Sequence, residues 1–262
     1  MIWVNGKEVV QDHFAAGELK IKLWPSNKSR IDLIWHYESD AELFTIACIR
    51  QYYATQECIL YLPYLPSARM DRVKNPEDVF TLKTFASLIN SLMFDKVVCW
   101  DVHSNVSLAL IDRIENVNPI VWIDEAIQLL GYSKESLCLF FPDEGAQKRY
   151  GEMFTQYHQA FGIKKRNWET GKIEGFMIVG EENVKDREIL IIDDICSYGN
   201  TFTRAADALL AAGAAGVNLF VTHCEDAISK GNIFKDGRID RVFTTNSLFR
   251  TPETDSKLTI IH

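Results

Sequence analysis

The amino-acid sequence predicts an α/β protein made of two tandem domains, each a mostly parallel β-sheet flanked by helices. Three observations support this prediction. Short apolar runs rich in valine, isoleucine and aromatic residues alternate with segments whose apolar residues recur every three or four positions. The first pattern is typical of buried strands and the second of amphipathic helices. The chain has 262 residues and is 47% hydrophobic, which is enough for one large or two medium globular cores.

Ten apolar runs are interpreted as strands. Five of them lie in the first half of the chain, at residues 19–24, 30–37, 58–64, 96–103 and 119–124. Five more lie in the second half, at residues 137–143, 176–180, 188–194, 217–223 and 241–246. Amphipathic helices are predicted between them, at residues 40–54, 78–92, 104–114, 146–162 and 201–213.

Two similar α/β units fit this order of elements best when the chain is divided near residue 118. Residues 1–118 then form the first predicted domain and residues 119–246 form the second. The segment 247–262 is expected to join the first domain.

Composition and charge argue against several functional classes. The net charge is −8 and no run of lysine and arginine exceeds three residues, which is unlike a nucleic-acid-binding surface. Six cysteines lie far apart with no C-x-x-C spacing, so we expect reduced thiols in a cytoplasmic protein. The sequence has no run of 18 apolar residues, and its first residues do not resemble a targeting segment, so no membrane association is expected.

Polar residues follow several of the predicted strands, where parallel sheets bind their ligands. A single carboxylate at a strand end is commonly a helix cap, but four such ends together indicate a site for a divalent cation and a sugar phosphate. The residues at these ends are Asp101, His103, Asp143, Asp193, Asp194 and His223.

The stretch ILIIDDICSYGNT, residues 189–201, combines two features of a ribose phosphate site. Asp193 and Asp194 are adjacent, and two neighbouring carboxylates stay ionised only beside a cation or several hydrogen-bond donors. The loop that follows leads into a predicted helix, whose first backbone N–H groups can receive a phosphate. The carboxylates would then accept from sugar hydroxyls. The alternative is that the pair merely caps the helix, although capping needs only one carboxylate.

The same stretch resembles the phosphoribosyl-diphosphate motif of type I phosphoribosyltransferases, an acidic pair followed by a loop of Thr/Ser, Gly and Thr. Three further segments narrow the resemblance to the ribose-phosphate diphosphokinases, also called phosphoribosyl diphosphate synthetases. YLPYLPSARMDRV (61–73) is similar to P-Y-x-x-Y-A-R-Q-D-R, KVVCWDVHSN (96–105) to V-D-L-H, and LFFPDEGAQKR (139–149) to P-D-x-G-x-x-x-R. The resemblance implies two phosphoribosyltransferase-like domains, the first binding ATP and the second binding ribose phosphate.

The resemblance also implies roles for individual residues. Arg69, Asp71, Arg72 and His103 would contact ATP, and His103 with Asp143 would hold a Mg²⁺ ion. Without the resemblance, the segment around Arg69 would be interpreted as a surface salt-bridge cluster.

The segment HFAAGELKI (13–21) is similar to the family's F-P-D-G-E loop, and it keeps Phe14 and Glu18. In the family this loop reaches across a subunit interface to the adenine of a neighbouring ATP. The resemblance therefore implies a homo-oligomer, a dimer or a hexamer, with its ATP site at a subunit interface. Ala16 stands where the family has an aspartate, so identical contacts to the adenine base are not expected.

The basic segment GIKKRNWETGKIEG (162–175) corresponds to a mobile loop that carries K-x-R in the family. Lys164 and Arg166 match that spacing, and Lys165 is the alternative lysine. Together with Arg69, these cations would stabilise charge on the reacting phosphates. The other interpretation of the segment is a solvated turn with scattered cations.

The predicted phosphate loop departs from the family pattern D-D-x-x-D-T-G-G-T. Serine replaces an aspartate, tyrosine a threonine and asparagine a glycine. Either the loop still binds ribose 5-phosphate, or the 5′-phosphate belongs to a larger acceptor such as ADP-ribose, with the tyrosine available to stack on a base. The predicted ribose-phosphate residues are Asp193, Asp194, Ser197, Tyr198, Gly199, Asn200 and Thr201.

The resemblance thus implies an enzyme that transfers the β,γ-diphosphoryl group of Mg·ATP to the anomeric hydroxyl of ribose 5-phosphate and releases AMP. One alternative is the same chemistry on a larger acceptor. A second is a phosphoribosyltransferase, which would need the acidic pair but not the arginine segment 61–73. A third is a non-catalytic relative that associates with an active enzyme.

Overall fold

The structure is a computed structural model that describes residues 1–166, 173–251 and 255–262, with the backbone alone at 164–166 and 173–176. It divides into two compact units, Met1–Asn118 and Pro119–His262. Each unit contains one sheet whose strands are mostly parallel, with helices packed against it. The predicted fold class is therefore confirmed.

The first unit is built on a sheet with the strand order β2-β1-β5-β6-β7-β8. Strands β5 to β8 are parallel, whereas β1 and β2 form an antiparallel edge, and β3 pairs with β4 in a separate hairpin. The strands are β1 (Ile2–Val4), β2 (Lys7–Glu8), β3 (Gln11–His13), β4 (Leu19–Ile21), β5 (Arg30–Trp35), β6 (Glu57–Leu62), β7 (Lys96–Trp100) and β8 (Ile114–Val117). The helices are α1 (Glu42–Tyr52), α2 (Thr81–Ser91) and α3 (Asn105–Leu110).

The core of the first unit follows from side-chain periodicity. On β5, Ile31, Leu33 and Trp35 are fully buried while the residues between them are not, because alternate side chains of a strand face opposite sides of the sheet. On α2, the buried residues have helical spacing, so one face of the helix contacts the sheet. Those residues are Leu82, Phe85, Ala86 and Ile89.

The second unit has a seven-stranded sheet in the order β11-β10-β9-β12-β13-β14-β15, parallel except for β11. The strands are β9 (Leu137–Phe141), β10 (His158–Arg166), β11 (Ile173–Val179), β12 (Glu188–Cys196), β13 (Gly216–Cys224), β14 (Val242–Thr245) and β15 (Leu258–Ile261). The α-helices are α4 (Ile120–Leu130), α5 (Glu144–Tyr150) and α6 (Asn200–Ala211), and short 3-10 helices span Gly151–Phe154, Glu181–Asn183 and Asp226–Lys230.

Both faces of the second sheet are covered. Ile191 of β12 packs in a cluster that contains Leu209 of α6, whereas Leu190 packs in a cluster that contains Ile123 of α4 and Tyr150 of α5. All nine residues of β13 are buried. A strand that is buried on both faces has apolar residues at successive positions rather than at alternate ones, as Leu219, Phe220 and Val221 show here.

Two predicted elements are wrong. Residues 119–124 were expected to be a strand but form the start of α4, where Ile123, Ala126 and Ile127 are buried with helical spacing. The expected helix at 146–162 ends much earlier, because α5 stops at Tyr150, a 3-10 helix follows, and the chain then enters β10. The apolar run at 120–123 is too short for periodicity to distinguish a helix from a strand, and the segment 146–162 joins the end of α5 to the first residues of β10.

The expected return of residues 247–262 to the first domain is also wrong. Residues 258–261 form β15, which pairs in parallel with β14 from Val242↔Leu258 to Thr245↔Ile261. Leu258 and Ile261 are buried in the core of the second unit. The backbone hydrogen bonds and the apolar burial both hold this segment on the second sheet.

The six cysteines are free thiols; Cys48 is half-buried and the other five are buried. Burial raises the pKa of Cys58 to about 11 and the pKa of Cys138 to about 12. No helix in the described part of the chain is long and apolar enough to span a membrane.

We predict that Leu60→Ala destabilises the first unit by about 3–5 kcal/mol, whereas Leu88→Ala changes its stability by less than about 0.5 kcal/mol. Leu60 is fully buried at the centre of the sheet, and its truncation leaves a cavity. Leu88 is 46% exposed on α2, so its truncation creates none. Urea unfolding followed by circular dichroism measures both variants. Equal losses in the two variants would contradict this account of the core.

Candidate functional site

The carboxyl ends of the central strands bring the predicted acidic residues of the second unit to one edge of its sheet. β9, β12 and β13 are parallel, with Ile191 opposite Phe140 and Asp193 opposite Val221. Asp143 follows β9, and Asp193 lies near the end of β12. β12 continues to Cys196, two residues beyond the predicted strand end, so both adjacent aspartates lie inside the strand.

Three carboxyl groups lie close together at this edge. The pKa of Asp193 is raised well above its usual value, chiefly by burial and then by the charges of Asp194 and Asp143. The backbone N–H of Asp194 donates to Oδ1 of Asp193 at 3.0 Å. The structure therefore brings together the acidic pair and the aspartate of the P-D-x-G turn.

Arg149 provides a positive charge beside these carboxyl groups. Its Nη1 lies 3.4 Å from Oδ2 of Asp194, whose side chain is 5% exposed, and also donates to the Tyr150 hydroxyl at 3.2 Å. Arg149 is not among the site residues predicted from the sequence. The sequence pattern could have indicated this residue, because Arg149 is the final residue of the segment similar to P-D-x-G-x-x-x-R.

Asp143 has a structural role as the N-cap of α5. Its Oδ1 accepts from the backbone N–H of Ala146 at 3.0 Å, and its backbone is extended. A capping carboxylate satisfies one of the unpaired N–H groups at a helix start. The cap fixes one carboxyl oxygen of Asp143 against the helix, which orients this side chain at the sheet edge.

The predicted phosphate loop lies between β12 and α6. Gly199 has a left-handed backbone, φ +81°, and its carbonyl oxygen accepts from the N–H groups of Phe202 and Thr203 at 3.0 Å. Asn200 and Thr201 are the first residues of α6, so their N–H groups belong to the unpaired set at a helix N-terminus. N–H groups in this position can donate to an anion, so the role predicted for the loop stays a prediction with the required geometry.

The segment that follows β13 supports this loop. The hydroxyl of Ser197 donates to Oε2 of Glu225 at 2.6 Å. A Cβ atom at Gly231 would lie 2.1 Å from the carbonyl oxygen of Tyr198, so only glycine allows this close contact. The side chain of Tyr198 is 52% exposed. The loop is thus fixed by its backbone and by Ser197, while the tyrosine ring remains accessible.

The basic residues Lys164, Lys165 and Arg166 lie on a strand rather than on a loop. β10 pairs with β9 from His158↔Cys138 to Phe161↔Phe141, where β9 ends, so the later residues of β10 extend past the carboxyl edge of β9. They pair with β11 in an antiparallel hairpin. Backbone hydrogen bonding to β11 therefore replaces the expected loop at these positions. Residues 167–172 of the basic segment lie outside the described residues.

In the first unit, the segments after β6 and β7 bring Asp71, Arg72 and His103 together. Asp71 is 4% exposed, and Arg72 forms a bidentate ion pair with it through Nε at 2.7 Å and Nη2 at 3.0 Å. These bonds lower the pKa of Asp71, and the charge of His103 contributes in the same direction. Arg69 is exposed on the same segment, and Asp101 has a left-handed backbone, φ +41°.

The residues Phe14 and Glu18 close the β3–β4 hairpin. The backbone N–H of Phe14 donates to the carbonyl oxygen of Glu18 at 2.9 Å, which fixes the turn. Phe14 is 56% exposed, and the Lys20 ammonium lies 5.6 Å from the centre of its ring. An exposed aromatic ring at the end of a hairpin can contact a base or a second chain.

The carboxylate oxygens at the carboxyl edge of the second unit's sheet are ligands of the kind that Mg²⁺ prefers. Mg²⁺ in phosphoryl-transfer sites is held by one or two carboxylates together with substrate phosphates, and a cation would offset the repulsion that raises the pKa of Asp193. Among the residues that the structure describes, no group of three or more His, Cys, Asp or Glu side chains is arranged to hold a metal on its own. The expected ligands belong to different units, His103 to the first and Asp143 to the second.

Similarity to known proteins agrees with this arrangement. A family model described as the phosphoribosyl transferase domain matches residues 151–252. The ribose-phosphate pyrophosphokinase of Rhizobium meliloti is 30% identical over 197 residues, which cover 74% of this chain and 60% of that protein. The enzyme of the same name from Maricaulis maris is 31% identical over 183 residues, 69% of this chain and 56% of that protein. The chain thus matches less than two thirds of the length of these relatives.

The crystal structure of phosphoribosylpyrophosphate synthetase from Mycobacterium smegmatis has the same fold. The TM-score is 0.74 with 21% identity, and the alignment covers 97% of this chain and 85% of that chain. At this identity the likeness establishes the fold alone.

We predict that Asp193→Asn stabilises the protein, and more so as the pH rises. Because the folded-state pKa of Asp193 is raised, its favourable contribution to stability is complete below the unfolded-state pKa and is lost as pH rises through the folded-state pKa. At higher pH the folded protein must therefore bear the cost of ionising Asp193, and an asparagine at this position removes that cost. Without nucleotide or metal, Tm should rise by roughly 2–4 °C for each kcal/mol relieved, with a larger gain at about pH 8 than at about pH 5.

Glu181→Gln is the control for this measurement, because Glu181 is an exposed carboxylate of the second unit. Its substitution should leave Tm nearly unchanged at both pH values. A gain for Asp193→Asn that does not depend on pH would contradict the assignment of the penalty to the buried charge.

Proposed function

Since the chain is a relative of the ribose-phosphate pyrophosphokinases and has the phosphoribosyltransferase fold, we propose that it transfers the β,γ-diphosphoryl group of ATP to a ribose 5-phosphate unit. The anomeric hydroxyl oxygen forms a bond to the β-phosphorus, the bond from that phosphorus to the α,β-bridging oxygen breaks, and AMP leaves. The hydroxyl proton passes to solvent. Ribose 5-phosphate is the first candidate for the acceptor.

The observation that carries this proposal is the acidic pair beside an anion-binding loop in one unit. Asp193 and Asp194 offer acceptors for the vicinal hydroxyls of a ribose, and the N-terminus of α6 offers donors for its phosphate. Arg149 lies against Asp194 and favours its ionised form, which accepts hydrogen bonds only. A simple helix cap would need neither the second carboxylate nor Arg149.

In this proposal the first unit binds ATP. The exposed Arg69 contacts the triphosphate, and Asp71 orients Arg72 through their bidentate pair. Lys164, Lys165 and Arg166, on the hairpin beyond the sheet edge of the second unit, add positive charge near the reacting phosphates. Phosphoryl transfer depends mainly on positioning and on neutralisation of charge, and these residues supply both.

Asp143 and His103 are the proposed ligands of a Mg²⁺ ion. The carboxylate of Asp143 suits Mg²⁺ better than the imidazole of His103 does, because Mg²⁺ prefers oxygen ligands. When bound, the ion neutralises phosphate charge and aligns the reacting groups.

A second candidate acceptor is a larger molecule that contains ribose 5-phosphate, such as ADP-ribose. The observation that favours it is the exposed ring of Tyr198 on the loop proposed to bind the phosphate. An aromatic ring at that position can stack on a base attached through the phosphate. We also propose a homo-oligomer in which the Phe14 hairpin contacts the ATP of a neighbouring subunit, and a cytoplasmic location.

We predict that the purified protein releases AMP from Mg·ATP only when an acceptor is added. Release with ribose 5-phosphate supports the first candidate, and release with ADP-ribose alone supports the second. A phosphoribosyltransferase would release no AMP under these conditions but would release diphosphate from phosphoribosyl diphosphate and a base. A non-catalytic relative would do neither. Four mixtures therefore decide among these functions by nucleotide chromatography: Mg·ATP alone, Mg·ATP with ribose 5-phosphate, Mg·ATP with ADP-ribose, and phosphoribosyl diphosphate with a base.

We predict that Arg69→Ala lowers kcat/KM for AMP release by about 10²-fold, because a charged donor to the migrating phosphates is lost. Lys83→Ala is the control, since Lys83 is an exposed cation on α2. Steady-state kinetics at saturating acceptor measures both variants. Unchanged turnover in the Arg69 variant would contradict the proposed ATP site.

A further inference from the structure

A carboxylate lies directly behind the predicted phosphate loop. The Ser197 hydroxyl donates to Oε2 of Glu225 at 2.6 Å, a distance typical of a hydrogen bond to an ionised acceptor. The backbone N–H of Glu225 donates to the carbonyl oxygen of Cys196 at 2.8 Å, so Glu225 is tied to the base of the loop. Glu225 follows β13 and places a carboxylate beside Ser197 from the neighbouring strand end.

The supporting contacts keep the loop next to this carboxylate. The carbonyl of Tyr198 lies against Gly231, and an added Cβ at Gly199 would lie 3.0 Å from Cδ1 of Ile233. Both contacts involve the segment that begins with Glu225. Movement of the loop away from Glu225 would break the Ser197 hydrogen bond and separate these packed atoms.

The hydrogen bond determines what Ser197 can offer a ligand. A hydroxyl group has one proton, and here that proton is directed to Glu225, so the oxygen presents only lone pairs to other partners. A terminal phosphate monoester carries a charge of about −1.5 to −2 at neutral pH, whereas a phosphate linked on both sides, as in the diphosphate bridge of ADP-ribose, carries about −1. The nearby carboxylate repels the first more strongly than the second.

We propose that Glu225 is a specificity-determining residue that, acting through Ser197, makes the loop 197–200 favour a 5′-phosphate with one negative charge over a terminal phosphate with two. The proposal rests on the proposed function, in which this loop receives the phosphate of the acceptor. The ligand class it favours is a ribose whose 5′-phosphate is linked to a further group, as in the second candidate acceptor, ADP-ribose.

Glu225→Gln tests this proposal because it removes the charge while keeping the size and a hydrogen-bond acceptor for Ser197. The ratio of kcat/KM for ribose 5-phosphate to kcat/KM for ADP-ribose should rise by roughly tenfold. Loss of a purely structural contact would lower both values together. Glu225→Asp, which keeps the charge, should leave the ratio nearer to that of the original protein.

Binding without ATP separates the inference from the proposed function. Titration calorimetry with each acceptor and Mg²⁺ gives a ratio of Kd values, which should shift in the same direction even if neither acceptor is turned over. In that outcome the proposed reaction fails and the inference stands. Failure of both acceptors to bind overturns the inference, as does an unchanged Kd ratio in Glu225→Gln.

Two further variants complete the test. In a double-mutant cycle, Ser197→Ala should reduce the effect of Glu225→Gln on the ratio, because the two residues act together. If the effects of the two substitutions on the ratio are additive, Glu225 does not act through Ser197, and that part of the proposal is overturned. Glu181→Gln changes the net charge equally on an exposed surface, and an equal shift in that variant would overturn the proposal.

Discussion

The repulsion among Asp143, Asp193 and Asp194 is the constraint on which the candidate site depends. Parallel strands bring these carboxyl groups to one sheet edge, where Asp194 is buried and Asp143 and Asp193 are half-buried, so keeping all three charged is costly. Arg149 offsets part of this cost through Asp194, and the cap formed by Asp143 directs one of its oxygens toward α5. The remaining repulsion favours occupants that bring hydrogen-bond donors or positive charge, such as sugar hydroxyls and a divalent cation. A site of this kind is less stable when empty than an apolar edge would be.

The fold class could be predicted because the central strands are buried on both faces. Residues 189–192 and 219–221 are unbroken apolar stretches, and they lie in the central strands β12 and β13 of the second sheet. The run at 119–124 has the same composition but lies in a helix, since a short apolar run fits either element. β15 was missed because four residues at a sheet edge carry little periodic signal, and only pairing with β14 defines them.

Residue types and spacing in the sequence indicate site residues that lie within one local stretch, and they do not indicate contacts between residues that are distant in the chain. The acidic pair and the loop lie within about ten residues of each other, so residue types and spacing are enough to propose them, whereas the role of Asp143 as the cap of α5 is seen only in the structure. Arg149 on α5 meets Asp194 on β12, and Ser197 meets Glu225 across a separation of 28 residues. Such contacts follow from strand order and register, which hydrophobic periodicity does not specify.

The distribution of the thiols has a practical consequence for spectroscopy. The thiolate is the form that reacts with maleimides and similar reagents, and the raised pKa values of Cys58 and Cys138 leave almost none of it near neutral pH. Cys48 differs from the other five in being half-buried, and it lies on α1 of the first unit. A fluorophore or spin label can therefore be attached selectively to the native chain at Cys48, without first replacing the remaining cysteines.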